Sequence, residues 1–208
     1  SSEHNQAPSE HQKARAAAQV ITHQIPAPAV IVTAVAMVAV AIEDSASQTS
    51  LITRKDTDMR LLLNPNERYS PALAKTLRGL AASADLLIDT ALTNQRQFPD
   101  DHLEGYMNRY WLVSPEQASA LNCRPVRIHN ILRKDNDRHL HDHPWSFISV
   151  ILKGGYDEEL LGEDGYKRHQ VVRPGDSYSR ETGQYHRIME ITPEPVWTLC
   201  ILDTPHPT

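Results

Sequence analysis

Three histidines in the last third of the chain have the residue type and spacing of metal ligands. His141 and His143 are separated by one residue, and His186 follows in a later segment. Residues two apart on an extended strand point to the same face, so the first two imidazoles could reach one ion from a single strand. Neutral imidazole is the commonest protein ligand for first-row transition metals. The sequence therefore predicts a divalent-metal site formed by His141, His143 and His186.

Short apolar or β-branched runs separated by turn residues make up the chain beyond residue 105. Gly162–Gly165 and Arg173–Asp176 have the composition of tight turns. Many short strands at close spacing favour a small closed barrel that could hold the three histidines. The predicted strands are Tyr110–Val113, Val126–Arg133, Trp145–Leu152, Tyr156–Leu161, Tyr166–Val172, Ser177–Arg180, His186–Ile191 and Val196–Leu202.

Residues 1–104 begin with a polar stretch and continue with apolar residues at helical spacing, which predicts a mainly helical region with a disordered start. Apolar residues at helical spacing predict a helix that begins at Pro71, capped by Ser70, and ends before Phe98. Ala29–Ile42 is almost wholly apolar, yet as a helix it would span roughly 21 Å against a hydrocarbon core of about 30 Å. A buried helix or strand is the favoured interpretation there, with membrane insertion or export as the alternatives.

Composition and charge exclude several classes of protein. The net charge is −5 over 208 residues and neither half has a basic excess, so nucleic acid is not an expected partner. The two cysteines have no paired spacing, which favours a reducing, cytoplasmic setting. No serine-hydrolase triad, phosphate-binding glycine loop or cysteine zinc motif can be assembled.

Around the histidines the chain resembles the cupin superfamily over about residues 125–203. The first cupin motif has a His-x-His pair, a glutamate four residues later and a glycine seven further on; here these are His141, His143, position 147 and Gly154. In the second motif the glycines and the histidine match, at Gly175, Gly183 and His186. Glu181 and Glu190 replace its proline and asparagine. The resemblance implies a mainly β fold, with a cupin-type jelly-roll barrel at residues 105–208 after the helical region.

Phe147 stands where most metal cupins carry a glutamate ligand. A three-histidine site without that carboxylate is similar to the thiol dioxygenases, which oxidise cysteine-like thiols with non-haem Fe(II) and O₂, and acetylacetone-type dioxygenases form another such group. The resemblance implies Fe(II), with Zn, Mn and Ni as alternatives. It predicts an oxidoreductase that takes a small organic substrate, thiol or anionic, and O₂.

Other residues are assigned around this site. An inward Arg127 would hold a substrate carboxylate, and the alternative is an exposed arginine on an edge strand. Tyr178 is a candidate catalytic residue and pocket wall. His139 is expected to lie behind the ligands and orient one of them, or to lie at a strand edge, and the alternative is that it is itself a ligand. The run Asp157–Glu159 is expected to be solvated, with Glu158 as a subsidiary candidate for the missing carboxylate ligand.

Three functions are carried forward. The first is the metal-dependent dioxygenase, and the second is a non-catalytic cupin that binds or senses a ligand. The third is a cupin isomerase or epimerase, which would need Tyr178 or Glu181 as an acid or base. No membrane partner is expected, and an exposed sheet edge makes a homodimer a further expectation.

Overall fold

The computed structural model describes Val35, residues 71–136 and residues 139–203. Two helices come first, α1 at Pro71–Ala82 and α2 at Ala84–Asn94, and a short helix α3 at Pro115–Leu121 separates the first two strands. The eight strands are β1 Met107–Val113, β2 Val126–Ile131, β3 Phe147–Lys153, β4 Tyr156–Leu161, β5 Lys167–Val172, β6 Ser177–Arg180, β7 His186–Ile191 and β8 Val196–Leu202.

The strands form two antiparallel sheets. The larger has the order β1-β2-β8-β3-β6, and the smaller has the order β5-β4-β7. An isolated bridge between His141 and His186 extends the smaller sheet beyond β7. Because chain neighbours such as β3 and β4 lie in different sheets, the connections cross between two layers, which is the jelly-roll arrangement. The prediction of a mainly β, jelly-roll fold preceded by helices is confirmed.

The larger sheet is buried on both faces. Its outer face packs against α1 and α2, and Leu77, Leu87 and Ile88 of the helices belong to one apolar cluster with Ile128 and Val150 of the sheet. Its inner face meets the smaller sheet across a second cluster that lines the interior of the barrel. That cluster contains Trp111, Ile131, Phe147, Ile151, Tyr156, Val172, Tyr178, Ile188, Val196, Cys200 and Leu202. The interior therefore has its own walls, separate from the helix-covered core.

The predicted strands are confirmed to within about three residues, but the predicted single helix is wrong. Ser83 divides it with φ −104° and ψ 20°, so that α1 and α2 are separate helices. Serine disfavours helix interiors because its hydroxyl competes for backbone groups. The division lets Leu77 and Leu87 both reach the sheet, and they are 0% and 2% exposed.

Other expectations for the first half fall mostly outside the described residues. Within Ala29–Ile42 only Val35 is described, and it is helical and buried against the outer cluster. Ser70 also lies outside. Among the helices that the structure describes, none has the length and apolarity needed to cross a bilayer. The predicted division at residues 104 and 105 stays a prediction.

Candidate metal centre

Backbone pairing brings His141 and His186 together. The amide of each donates to the carbonyl of the other, at 2.9 and 2.8 Å. His143 lies two residues further on, in the loop that leads into β3. The predicted strand over Trp145–Leu152 begins at Phe147. The expectation that His141 and His143 share a single strand is wrong, because only His141 is in a β-bridge. A single bridge to the start of β7 places the pair instead.

The three imidazoles converge. Nε2 of His143 lies 2.8 Å from Nε2 of His186, and one ring nitrogen from each of the three residues falls within 4.8 Å of the others. Two donors at right angles on an ion, each about 2.1 Å away, are about 3 Å apart. The donor set and its spacing therefore fit a first-row divalent metal, and His141, His143 and His186 could hold one.

Glu158 lies behind His186, on the side away from the cluster. Its Oε2 is 3.0 Å from Nδ1 of His186, and its Oε1 accepts a hydrogen bond from the Arg180 guanidinium. Glu158 and Arg180 are 0% and 2% exposed. Because Glu158 meets the opposite nitrogen of the imidazole, it is an outer partner of His186, and the subsidiary idea that it replaces a ligand is wrong.

The expectation that Asp157–Glu159 is solvated is also wrong for two of its three members. β4 is the central strand of the smaller sheet, so Glu158 points into the barrel and Glu159 lies on the outer face between Lys167 and Arg187. The alternation was readable in the sequence, since Glu158 shares its parity with Tyr156. The ion pair with Arg180 was not, because it joins residues 22 apart in the chain.

Asp135 stands in the corresponding place behind His141, at a longer distance. Its Oδ2 is 4.0 Å from Nδ1 of His141 and accepts a 2.7 Å hydrogen bond from the amide of Ile188. A separation of 4.0 Å is too long for a hydrogen bond. The His141 side chain is 40% exposed, so this side of the cluster is open to solvent. No sequence pattern pointed to Asp135.

His143 has an apolar neighbour. Its ring meets Phe147 edge to face, with centroids 4.9 Å apart and planes at 86°. Burial, followed by the neighbouring imidazoles His186 and His141, lowers the pKa of His143 to about 4. The ring is therefore neutral at pH 7, as a metal ligand must be.

Tyr178 is a buried wall residue of the interior. Its hydroxyl hydrogen-bonds that of Tyr156, and the Arg180 guanidinium lies 4.3 Å from the centroid of its ring. Burial, with the Glu158 charge second, raises the pKa of Tyr178 well above its ordinary value. The phenol is therefore protonated at neutral pH. Tyr178 therefore lies in the inner apolar cluster, and both of its predicted roles, as a pocket wall and as a catalytic residue, stay predictions.

Arg127 already has a carboxylate partner. Its Nε and terminal nitrogen approach the two oxygens of Asp100 at 2.8 and 3.2 Å, and its guanidinium lies 4.1 Å from the Trp111 ring centroid. β2 lies between β1 and β8, so the alternative of an edge-strand arginine is wrong. The expectation that Arg127 holds a substrate carboxylate stays a prediction, with Asp100 as its present partner.

His129 and Cys200 add polar atoms to the interior. Nδ1 of His129 lies 3.4 Å from Sγ of Cys200, and its Nε2 is buried with no hydrogen-bond partner among the described residues. Burial lowers the pKa of His129 to about 3 and raises that of the Cys200 thiol to about 11. Both groups are therefore neutral near pH 7.

Several flanking residues lie away from the cluster. His139 is exposed and is absent from the group of converging imidazoles, so its assignment as an alternative ligand is wrong. Glu181 is exposed and accepts a 2.9 Å hydrogen bond from Ser146 Oγ. Tyr185 points outward and is 42% exposed.

Comparison with known proteins gives distant structural likeness only. No protein-family profile and no curated protein sequence matches the chain. An oxalate decarboxylase variant from Bacillus subtilis aligns at a TM-score of 0.42 and 19% identity, over 54% of this chain and 30% of that one. Hazelnut (Corylus avellana) vicilin aligns at 0.41 and 16%, over 51% and 32% of the two chains.

A candidate mannose-6-phosphate isomerase from Ralstonia eutropha aligns at a TM-score of 0.38 and 15% identity, over 51% of this chain and 93% of its own. These solved structures are cupin proteins. The alignments cover about half of this chain and under a third of the decarboxylase and vicilin chains. At these scores the likeness is too distant to bear on activity.

Proposed function

We propose that this chain is a metal-dependent enzyme of cupin type, a non-haem Fe(II) dioxygenase acting on a small organic substrate with a thiol or anionic group. The observation that carries the proposal is the convergence of three imidazoles beside Phe147, with no carboxylate ligand among the described residues. Such a site leaves coordination positions open for substrate and O₂.

Charge supports an anionic, chelating substrate. His143 is neutral at pH 7 because its pKa is lowered to about 4. The nearest buried carboxylate, Glu158, is already compensated by Arg180. The +2 charge of a bound ion is therefore not neutralised by its ligands, and a substrate with an ionised sulfur or oxygen donor would supply the missing charge.

The walls of the interior suit a small organic molecule. Phe147, Ile151 and Tyr178 form an apolar lining. On the larger sheet, Sγ of Cys200 lies 3.9 Å from the hydroxyl of Ser149 and 3.9 Å from that of Thr198. Ligand pockets typically combine apolar walls with a few polar groups that fix orientation. Here the walls would exclude water while those groups orient the substrate.

Two predicted residues have roles within this proposal. Tyr178 is protonated at neutral pH. Its hydroxyl can donate to a bound anion only if Tyr156 is the donor in the hydrogen bond between the two tyrosines. Arg127 can hold a substrate carboxylate only by exchanging it for Asp100. Both requirements are testable by Tyr178→Phe and Asp100→Asn, which should change KM for anionic substrates more than for neutral ones.

A bound Fe(II) would supply the chemistry by activating O₂ beside the substrate. In such a dioxygenation the substrate supplies four electrons and receives both oxygen atoms, so a thiol R–SH becomes R–SO₂H and no other reductant is consumed. The chain's own part is to hold the ion with three imidazoles and to keep water out of the interior.

The test is metal analysis of untagged protein followed by O₂ uptake after anaerobic Fe(II) loading, with carboxylated aliphatic thiols and β-diketones as substrates. We expect bound Fe(II) and uptake that depends on one of these substrate classes, and His141→Ala should abolish it. Tight zinc, or metal-free protein that takes up no O₂, would refute the dioxygenase. Ligand binding that survives without any turnover would favour the non-catalytic binding protein.

The isomerase or epimerase is less well supported. Its acid or base would have to be Tyr178, whose pKa is raised far from neutrality, or Glu181, which is exposed and bound to Ser146. The predicted homodimer stays a prediction, which light scattering coupled to gel filtration would check.

A further inference from the structure

The three candidate ligands differ in what supports them from behind. His186 has the buried carboxylate of Glu158 3.0 Å from Nδ1, while His141 has Asp135 at 4.0 Å. His143 meets the ring of Phe147 edge to face. The contact between Glu158 and His186 has the distance of a hydrogen bond, and it lies on the side of the imidazole away from the cluster.

The hydrogen bond to Glu158 determines which nitrogen of His186 can bind an ion. Because Oε1 of Glu158 accepts from Arg180, its Oε2 is placed to accept the Nδ1–H of His186, 3.0 Å away. Nε2 then presents its lone pair, and this is the atom that lies 2.8 Å from Nε2 of His143 inside the cluster. The ring is thus held in the tautomer that a metal requires.

Arg180 makes this arrangement sustainable inside the barrel. Glu158 is fully buried, and removing a carboxylate from water is costly unless a counter-charge and hydrogen bonds compensate it. The Arg180 guanidinium donates to Oε1, which leaves Oε2 for His186. Arg180 is itself fixed by its stacking on Tyr178.

We propose that Glu158, held by Arg180, is a positioning residue of the metal centre, and that it fixes His186 with Nδ1 protonated and Nε2 directed at the ion. The inference rests on the proposed function for the identity of the ion, but its statement about His186 applies to the metal-free protein as well. Outer carboxylates of this kind orient ligand histidines and increase their basicity.

The first measurement is the tautomer of His186 in the metal-free full chain, read from ring ¹⁵N–¹H correlation spectra. We expect a single Nδ1–H tautomer that Glu158→Gln converts to a mixture. An Nε2–H tautomer in the wild-type protein, or no change in the variant, would overturn the inference even if the protein binds metal.

The second measurement is the affinity for Co(II) alone, with its visible absorption spectrum. Glu158→Gln should weaken binding roughly 10–100-fold and alter the spectrum. Glu159→Gln is the matched control, because Glu159 is the next residue on β4, is nearly as buried and faces the opposite side. Unchanged affinity in folded Glu158→Gln overturns the inference alone, whereas wild-type protein that binds no Co(II) overturns the proposed function.

A double variant guards against misfolding. Glu158→Gln leaves Arg180 buried without its counter-charge, which is a destabilising arrangement. Glu158→Gln combined with Arg180→Gln removes both charges together, with circular dichroism as the check of fold. We expect the folded double variant to lose affinity as the single variant does, and wild-type affinity would count against the proposal.

Discussion

Phe147 is the residue that sets the chemical character of the cluster. It is 8% exposed, and its ring meets that of His143 edge to face. With phenylalanine at position 147, a bound ion would have three neutral imidazole ligands, with an apolar ring beside His143. Glu158 shows that a carboxylate can be accommodated nearby, but on the far side of an imidazole and neutralised by Arg180.

Replacing Phe147 with glutamate should therefore change both affinity and stability. We expect Phe147→Glu to bind Co(II) or Mn(II) about tenfold or more tightly, a gain of at least about 1.4 kcal/mol, because an anionic donor joins the cluster. Without metal the variant should be less stable than Phe147→Leu, since a buried carboxylate lacks a partner. Thermal unfolding with and without metal checks both statements, and equal metal-induced shifts in Tm for the two variants would contradict them.

His129 should make the metal-free protein sensitive to mild acid. Its pKa is lowered to about 3 when folded, mainly by burial, against about 6.5 when unfolded. The unfolded chain therefore binds a proton first, so the free energy of unfolding is retained above pH 6.5 and falls as the pH drops toward 3. At pH 5.5 the loss from this residue is about 1.4 kcal/mol.

Urea denaturation of His129→Gln and wild type at pH 7.5 and 5.5 tests this linkage. The variant should lose about 1.4 kcal/mol less on acidification. His139→Gln, a substitution at an exposed histidine, is the matched control. His143, whose pKa is lowered to about 4, contributes to the same window in both proteins. Parallel pH profiles for wild type and His129→Gln would refute the prediction.

At the scale of elements, alternation and turn chemistry were enough to locate the strands, because a half-buried strand repeats every two residues. The position of the histidine pair could not be predicted in this way, because His141 and His143 precede β3 and a bridge to β7 places them. The break at Ser83 had no strong signal in an otherwise helical pattern. The partners Asp135 and Glu158 depend on contacts between distant segments, which periodicity in one segment cannot reveal.

The turn between β3 and β4 requires glycine at position 154. Gly154 has φ +62°, and a Cβ there would lie 2.8 Å from the carbonyl oxygen of Pro195. Gly154→Ala should therefore lower the free energy of unfolding by about 1–3 kcal/mol. Gly79→Ala in α1 is the matched control, because its Cβ meets nothing within 4 Å and helix propensity should add about 0.5–1 kcal/mol. Denaturant unfolding of both variants measures the contrast, which a loss of similar size in each would contradict.

At the scale of the molecule, the helices and the larger sheet share one core. Leu77 and Leu87 cover the outer face of the sheet, and Asp100 pairs with Arg127 from the segment between α2 and β1. The site on the inner face therefore depends on a sheet whose other face is covered by residues from before position 105.

Removal of residues 1–104 should uncover that face and leave Arg127 without Asp100. We expect a chain of residues 105–208 to aggregate or to unfold at a much lower temperature than residues 71–208, since each uncovered leucine-sized contact costs about 1.5–3 kcal/mol. Gel filtration and thermal unfolding of the two chains measure this. Equal stability would show that the division predicted at residues 104 and 105 separates independent units.

Because His141 and His186 form a β-bridge, metal binding should change the local stability of the backbone at this bridge. Two backbone hydrogen bonds join His141 to His186 at the start of β7, and the amide of Asp135 donates a further one to the carbonyl of Ile188. Coordination would add a cross-link between His143 and His186, which are 43 residues apart in the chain. Loading with metal should thus slow amide exchange at His141 and His186 while Val150, paired on both sides within the larger sheet, keeps its rate. Metal occupancy would then determine how stably the loop that contains His141 is held against β7, and loss of the ion would increase local opening at this bridge first.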